Sequence, residues 1–132
     1  MIAVARCQSV RWRPSSALLS YQHRRVSGGE IYYLMNWGDD FDGEVSFPHQ
    51  DLAPELWDAD TGATRPAGQY RSENRRTHVR LVLPRLQSTF VVFCRRKPSF
   101  HAAACNNGRV EADDRRCFYA IPTGDGQCQA TF

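Results

Sequence analysis

The segment Glu30 to Trp37 (EIYYLMNW) does more than any other to limit what this chain can become. It is rich in β-branched and aromatic residues and lies between Gly29 and Gly38, a composition that favours an extended, pleated strand. In such a strand Ile31, Tyr33 and Met35 share one face while Tyr32, Leu34 and Asn36 share the other. Both faces are mostly apolar, so the pattern predicts a strand covered on two sides, in a central position within a sandwich.

Short apolar runs punctuated by turn residues surround it. Ala17 to Arg24 offers Leu18, Leu19 and Tyr21 and runs toward a turn at Ser27-Gly28-Gly29. Beyond the polar loop Gly38 to Gly43, Glu44 to Phe47 forms a short apolar stretch stopped by Pro48. Pro54 to Asp58 (PELWD) projects Leu56 and Trp57 to opposite sides, and Thr61-Gly62 supplies a tight turn. Thr77 to Leu83 alternates, with Val79, Leu81 and Leu83 on one face; Pro84 ends it, and Ser88 to Cys94 (STFVVFC) follows. No segment keeps the spacing of an amphipathic helix over a useful length. The expected fold is therefore all-β, an antiparallel β-sandwich over residues 17–94. A poorly structured lead-in over residues 1–16 precedes it. An irregular tail over residues 95–132 follows, with the Arg, Cys, Asn and Gly texture of a divergent end or of a truncated or frameshifted reading frame.

Size and charge narrow the function classes. A chain of 132 residues suits one compact domain and leaves no room for a barrel-sized enzyme core. The net charge of +3, from 17 basic and 14 acidic side chains, is too small to argue for nucleic acid. The charge is nonetheless segregated. Acids fill residues 39–60 without a Lys or Arg, whereas only Glu73 opposes the bases of residues 65–97. Two solvent-facing layers of opposite sign are expected. The five cysteines make no C-x-x-C pair and no zinc spacing, and their odd number argues against a fully paired framework. Free thiols are expected, with a partial disulfide set in the tail as the alternative. No stretch reaches the roughly 18 apolar residues of a membrane span, and no phosphate-binding glycine loop is present, so neither membrane nor nucleotide cofactor is expected.

Several of these segments, taken in order, resemble one region of a known family. His23-Arg24, then Ile31-Tyr32-Tyr33 with Asn36, then Pro54 to Gly62 (PELWDADTG), then Ser88 with Val91 to Phe93 is similar to a stretch of the α-L-rhamnosidase-like glycoside hydrolases (family 106 type). The likeness covers a little over half of the chain. It implies the β-sandwich that follows the catalytic barrel in a much longer polypeptide, with the catalytic carboxylates upstream. The implied partner is that barrel, and the implied role is non-catalytic support of rhamnoside hydrolysis, with carbohydrate nearby.

The candidate chemistry within the chain itself is sparse. A glycosidase needs two carboxylates about 5 to 9 Å apart across a pocket, but Asp39, Asp40, Asp42 and Glu44 crowd one loop, so no catalytic residues are expected. The same loop fails as a calcium motif, because Gly38 and His49 stand where position 1 and position 12 need acids. No metal site is expected. His23 and Arg24 are the candidate substrate-binding residues, since imidazole and guanidinium suit sugar hydroxyls and carboxylates. Trp12, Trp37 and Trp57 carry the alternative reading, a stand-alone carbohydrate-binding module that stacks sugars on exposed aromatics. Arg71, Arg75, Arg76 and Arg80, with Tyr70 and His78, form a basic patch without any nucleic-acid-binding motif.

Overall fold

The computed structural model describes residues 9–94, 101–113, 115–124 and 127–132. Thirteen strands and no helix form among them. Nine build the sandwich: β1 (Arg11–Arg13), β2 (Leu19–Val26), β3 (Gly29–Asn36), β4 (Phe41–Phe47), β5 (Ala53–Asp58), β6 (Thr64–Pro66), β7 (Tyr70–Glu73), β8 (Arg76–Leu83) and β9 (Ser88–Cys94). One sheet has the order β1-β4-β8-β7 and the other β2-β3-β9-β5-β6. Every pairing in both is antiparallel. The chain passes between sheets after each hairpin, and β9 completes the larger sheet by inserting between β3 and β5.

The expected central strand is β3, held between β2 and β9. Its inner residues Tyr32 and Leu34 are fully buried, while Ile31, Tyr33 and Met35 on the outer face are only half-buried. Cover on both sides is thus unequal: the facing sheet seals one side, and neighbours within the same sheet, such as Phe90 beside Tyr33, shield the other. Val45, Phe47 and Val79 complete the core from the facing sheet, and Val91 and Phe93 from β9 beside β3. Full burial of each such side chain contributes about 1.5–3 kcal/mol, so the sheet-to-sheet contact dominates stability. Tyr32, Phe47 and Phe93 join across the gap, with ring centroids 4.9 to 6.0 Å apart in edge-to-face and tilted arrangements.

The outer face of the four-stranded sheet explains the segregated charge. Strand β4 carries Asp42 and Glu44, and β8 and β7 bring Arg80, His78 and Arg71 alongside. Arg71 holds Glu44 through two hydrogen bonds of 3.0 and 3.1 Å, and Arg80 donates to Asp42 at 3.0 Å. Arg76 is buried instead, donating to Ser46 Oγ at 2.6 Å and to the Ser46 carbonyl at 2.9 Å. Two acids of the acidic stretch, Asp42 and Glu44, thus meet Arg71, His78 and Arg80 of the basic stretch on one face.

Order extends beyond the expected limits of the sandwich. Strand β1, within the expected lead-in, pairs with β4. In the tail, β10 (Ala104–Asn106) pairs with β13 (Gln129–Thr131), and β11 (Gly108–Ala112) with β12 (Phe118–Pro122). Ala102, Val110 and Ala112 are buried, and Tyr70 donates its backbone N–H to the Ala102 carbonyl at 2.9 Å. The tail strands are short: β10, β12 and β13 are largely exposed, and β11 buries only Gly108, Val110 and Ala112, so the sequence shows little apolar alternation there. Cys105, Cys117 and Cys128 are free thiols, with the Cys105 and Cys128 sulfurs 3.0 Å apart; Cys7 lies outside the described residues.

Candidate functional site

One end of the sandwich gathers polar and titratable side chains over the aromatic core. The β2–β3 hairpin turns at Ser27-Gly28, pairing Val26 with Gly29, Arg25 with Glu30, Arg24 with Ile31 and His23 with Tyr32. Because side chains alternate, Tyr21, His23 and Arg25 share the face that looks toward the opposite sheet. The His23 ring stacks flat on Tyr32, with centroids 4.3 Å apart and planes 5° from parallel. His23 Nε2 lies 2.5 Å from Glu30 Oε2, and Arg25 Nε donates to Glu30 Oε1 at 2.9 Å.

The second wall comes from the loop after β4. Pro48 stops that strand, and the backbone N–H of His49 then donates to the Phe47 carbonyl at 2.8 Å. Thr77 Oγ1 donates to the His49 carbonyl at 2.7 Å, fixing the loop against β8. The His49 ring lies 5.1 Å from that of Phe93, and its Nε2 is 2.6 Å from the Tyr32 hydroxyl. Two imidazoles and one carboxylate thus face each other over a floor of Tyr32, Phe47 and Phe93.

Electrostatics hold these groups in definite states. Burial acts to raise the pKa of Glu30, but the hydrogen bonds from His23 and Arg25 outweigh it and hold the carboxyl below its ordinary value. Burial lowers His49, favouring neutral imidazole, and burial with the neighbouring Glu30 charge raises Tyr32. The site therefore presents a carboxylate, a neutral imidazole and an intact phenol.

The two expected substrate-binding residues separate. His23 enters the cluster, whereas Arg24, the next residue along β2, sits opposite Ile31 and is exposed. Arg25 shares the cluster with His23 instead. Glu30 and His49 were not singled out from the sequence. They lie 7 and 26 residues from His23, a spacing with no ligand pattern, and only strand register and the loop after β4 unite them. The expectation of no metal site rested on spacing alone and did not take in this trio.

The solved structure of the rhamnosidase from Novosphingobium sp. PP1Y matches this chain with a TM-score of 0.60 and 27% sequence identity. The match covers 77% of this chain and 10% of that one. The fold is rhamnosidase-like. No protein-family model and no curated protein matches the chain.

The motifs behind the resemblance do structural work in this rhamnosidase-like fold. Asn36 is fully buried; its amide donates to the carbonyls of Asp39 and Leu83, both at 2.8 Å, and its oxygen accepts from the Gly38 N–H at 2.9 Å. Asp58 closes the Thr61-Gly62 turn by accepting from the N–H groups of Asp60 and Thr61 at 2.8 and 2.9 Å. The tryptophans do not form a platform. Trp12 packs against the core, Trp57 is half-buried with its indole on Glu55, and Trp37 alone of the three is exposed.

Proposed function

We propose that this chain is a non-catalytic β-sandwich module of an α-L-rhamnosidase-like glycoside hydrolase, packing against the catalytic domain and supporting rhamnoside hydrolysis. The observation that carries this reading is the lopsided match: most of this chain is similar to one tenth of a rhamnosidase chain. A segment of that proportion is the size of an accessory layer, not of a catalytic core. Fold alone would not justify the step, because sandwiches host many functions. The sequence likeness and the shared architecture together favour it.

The surface supports a docked arrangement. Leu18, Trp37 and Leu86 are exposed to 63, 59 and 56% and lie together at the end of the sandwich opposite the histidines. The Trp37 N–H donates to the Leu18 carbonyl at 2.9 Å, and the Leu86 N–H to the Asn36 carbonyl at 2.9 Å. Large apolar side chains clustered in solvent mark a covered face. Its occupant in this reading is the catalytic domain of the parent polypeptide.

Calorimetric titration with rhamnose and rhamnose oligosaccharides tests the reading against the binding-module alternative. The module reading expects no saturable heat. Saturable binding that disappears in Trp37→Ala would assign the exposed tryptophan to sugar stacking and replace the support role with carbohydrate binding.

A further inference from the structure

The cluster at the open end of the sandwich has a use that the support role does not require. His23 and Glu30 come from one sheet and His49 from the loop that leaves the other. One ligand atom of each lies within 4.8 Å of those of the other two. We propose that His23, Glu30 and His49 bind a zinc ion, which ties the two sheets together at this end.

The chemistry of the donors selects the ion class. Two imidazole nitrogens and one carboxylate oxygen suit zinc and its borderline neighbours, whereas calcium and magnesium take oxygen ligands. Two His and one Glu form a known three-ligand zinc set, with the fourth tetrahedral position left for water. Zinc bonds of about 2.0–2.2 Å place tetrahedral ligand atoms about 3.3 Å apart. The His23–Glu30 pair, now 2.5 Å apart, opens by less than that distance, and the remaining pairs close by about 1.5 Å at most. Side-chain rotation supplies such shifts, since His23 is one-third exposed and stands at the rim. Zinc takes the place of the proton held between His23 and Glu30.

The surroundings are built to hold the ligands. Arg25 grips Oε1 of Glu30 and leaves Oε2 turned toward the imidazoles. Tyr32 stacks under His23, and its hydroxyl engages His49 Nε2 at 2.6 Å, so His49 would offer the ion its other ring nitrogen, Nδ1. Partners of this kind orient a metal ligand and commonly change affinity ten- to a hundredfold when removed. The aromatic floor keeps water from one side of the ion.

The inference stands independently of the rhamnosidase reading and is tested on the whole chain. Titration with zinc chloride in a non-coordinating buffer, with the cysteines alkylated, is expected to give one ion per chain. His49→Gln and Glu30→Gln are each expected to weaken binding at least tenfold. Cobalt substituted for zinc in the unalkylated, otherwise unaltered chain gives a second readout that needs no variant. Its visible bands should report nitrogen and oxygen ligands, without the near-ultraviolet band of a thiolate bound to cobalt. Absence of saturable zinc binding, affinity unchanged in both variants, or cobalt bands of thiolate ligation with none of nitrogen and oxygen ligands would each overturn the proposal.

Discussion

Asn36 shows how one polar residue organises an end of this fold. It is the last residue of β3, fully buried, and it satisfies two carbonyls and one N–H of the surrounding loops. Removing it strands the buried Leu83 carbonyl and unpairs two part-buried groups, and an unsatisfied buried group costs about 1–3 kcal/mol. Asn36→Ala is accordingly expected to lower unfolding free energy by at least about 2 kcal/mol, measured by urea denaturation. A loss under half of that would mean the loops relax to regain their partners. Gly43 is constrained by space instead. A Cβ there would stand 2.0 Å from the Arg13 carbonyl oxygen and 2.8 Å from the Phe41 ring, so β1 would have to move. Gly43→Ala is expected to cost about 1–3 kcal/mol in the same measurement, as overpacking does. The resembled motif residues thus have structural duties of their own, and His23 alone among the expected site residues reaches the polar cluster.

At the scale of elements, the β5–β6 hairpin offers a pH-dependent test. The backbone N–H groups of Thr61 and Asp60 hold the Asp58 carboxyl below its ordinary value. A carboxyl depressed in the folded state contributes stability above its unfolded pKa, and that contribution is lost as pH falls through the folded value. The melting temperature of the native chain should exceed that of Asp58→Ala at neutral pH, and the gap should narrow below about pH 4. A gap independent of pH would assign the effect to the turn's shape and not to charge. This turn was legible in the sequence because Asp, Thr and Gly each have a defined turn role; Gly62 takes the positive φ of 74° that side chains resist. Strands β3, β8 and β9 were legible for a similar reason, since buried faces impose alternation. Strands β1, β6 and β7 were not. They are edge strands of three or four residues, and RWR, TRP and YRSE carry charge or proline where an edge must avoid further pairing. Strand β4 begins three residues before the expected Glu44, because Asp42, read as loop, finds Arg80 across β8. The polar cluster was invisible for a different reason: it depends on hairpin register and on a loop joining two sheets, neither of which leaves a local pattern.

At the scale of the whole molecule, the two ends of the sandwich differ in kind. One exposes Leu18, Trp37 and Leu86, and the other gathers His23, Glu30 and His49 above buried aromatics. Three of the four acids weighed for catalysis are engaged: Asp42 and Glu44 by arginines, and Asp40 by the Arg85 backbone N–H at 2.9 Å. A retaining or inverting glycosidase needs a pair of carboxylates free to meet a sugar from two sides. A supporting module needs a rigid core and one apolar face. The most direct test is hydrolysis of an aryl α-L-rhamnoside by the purified chain. The account predicts no turnover above the uncatalysed rate; turnover that a single carboxylate substitution abolishes would contradict it and place an active site within these 132 residues.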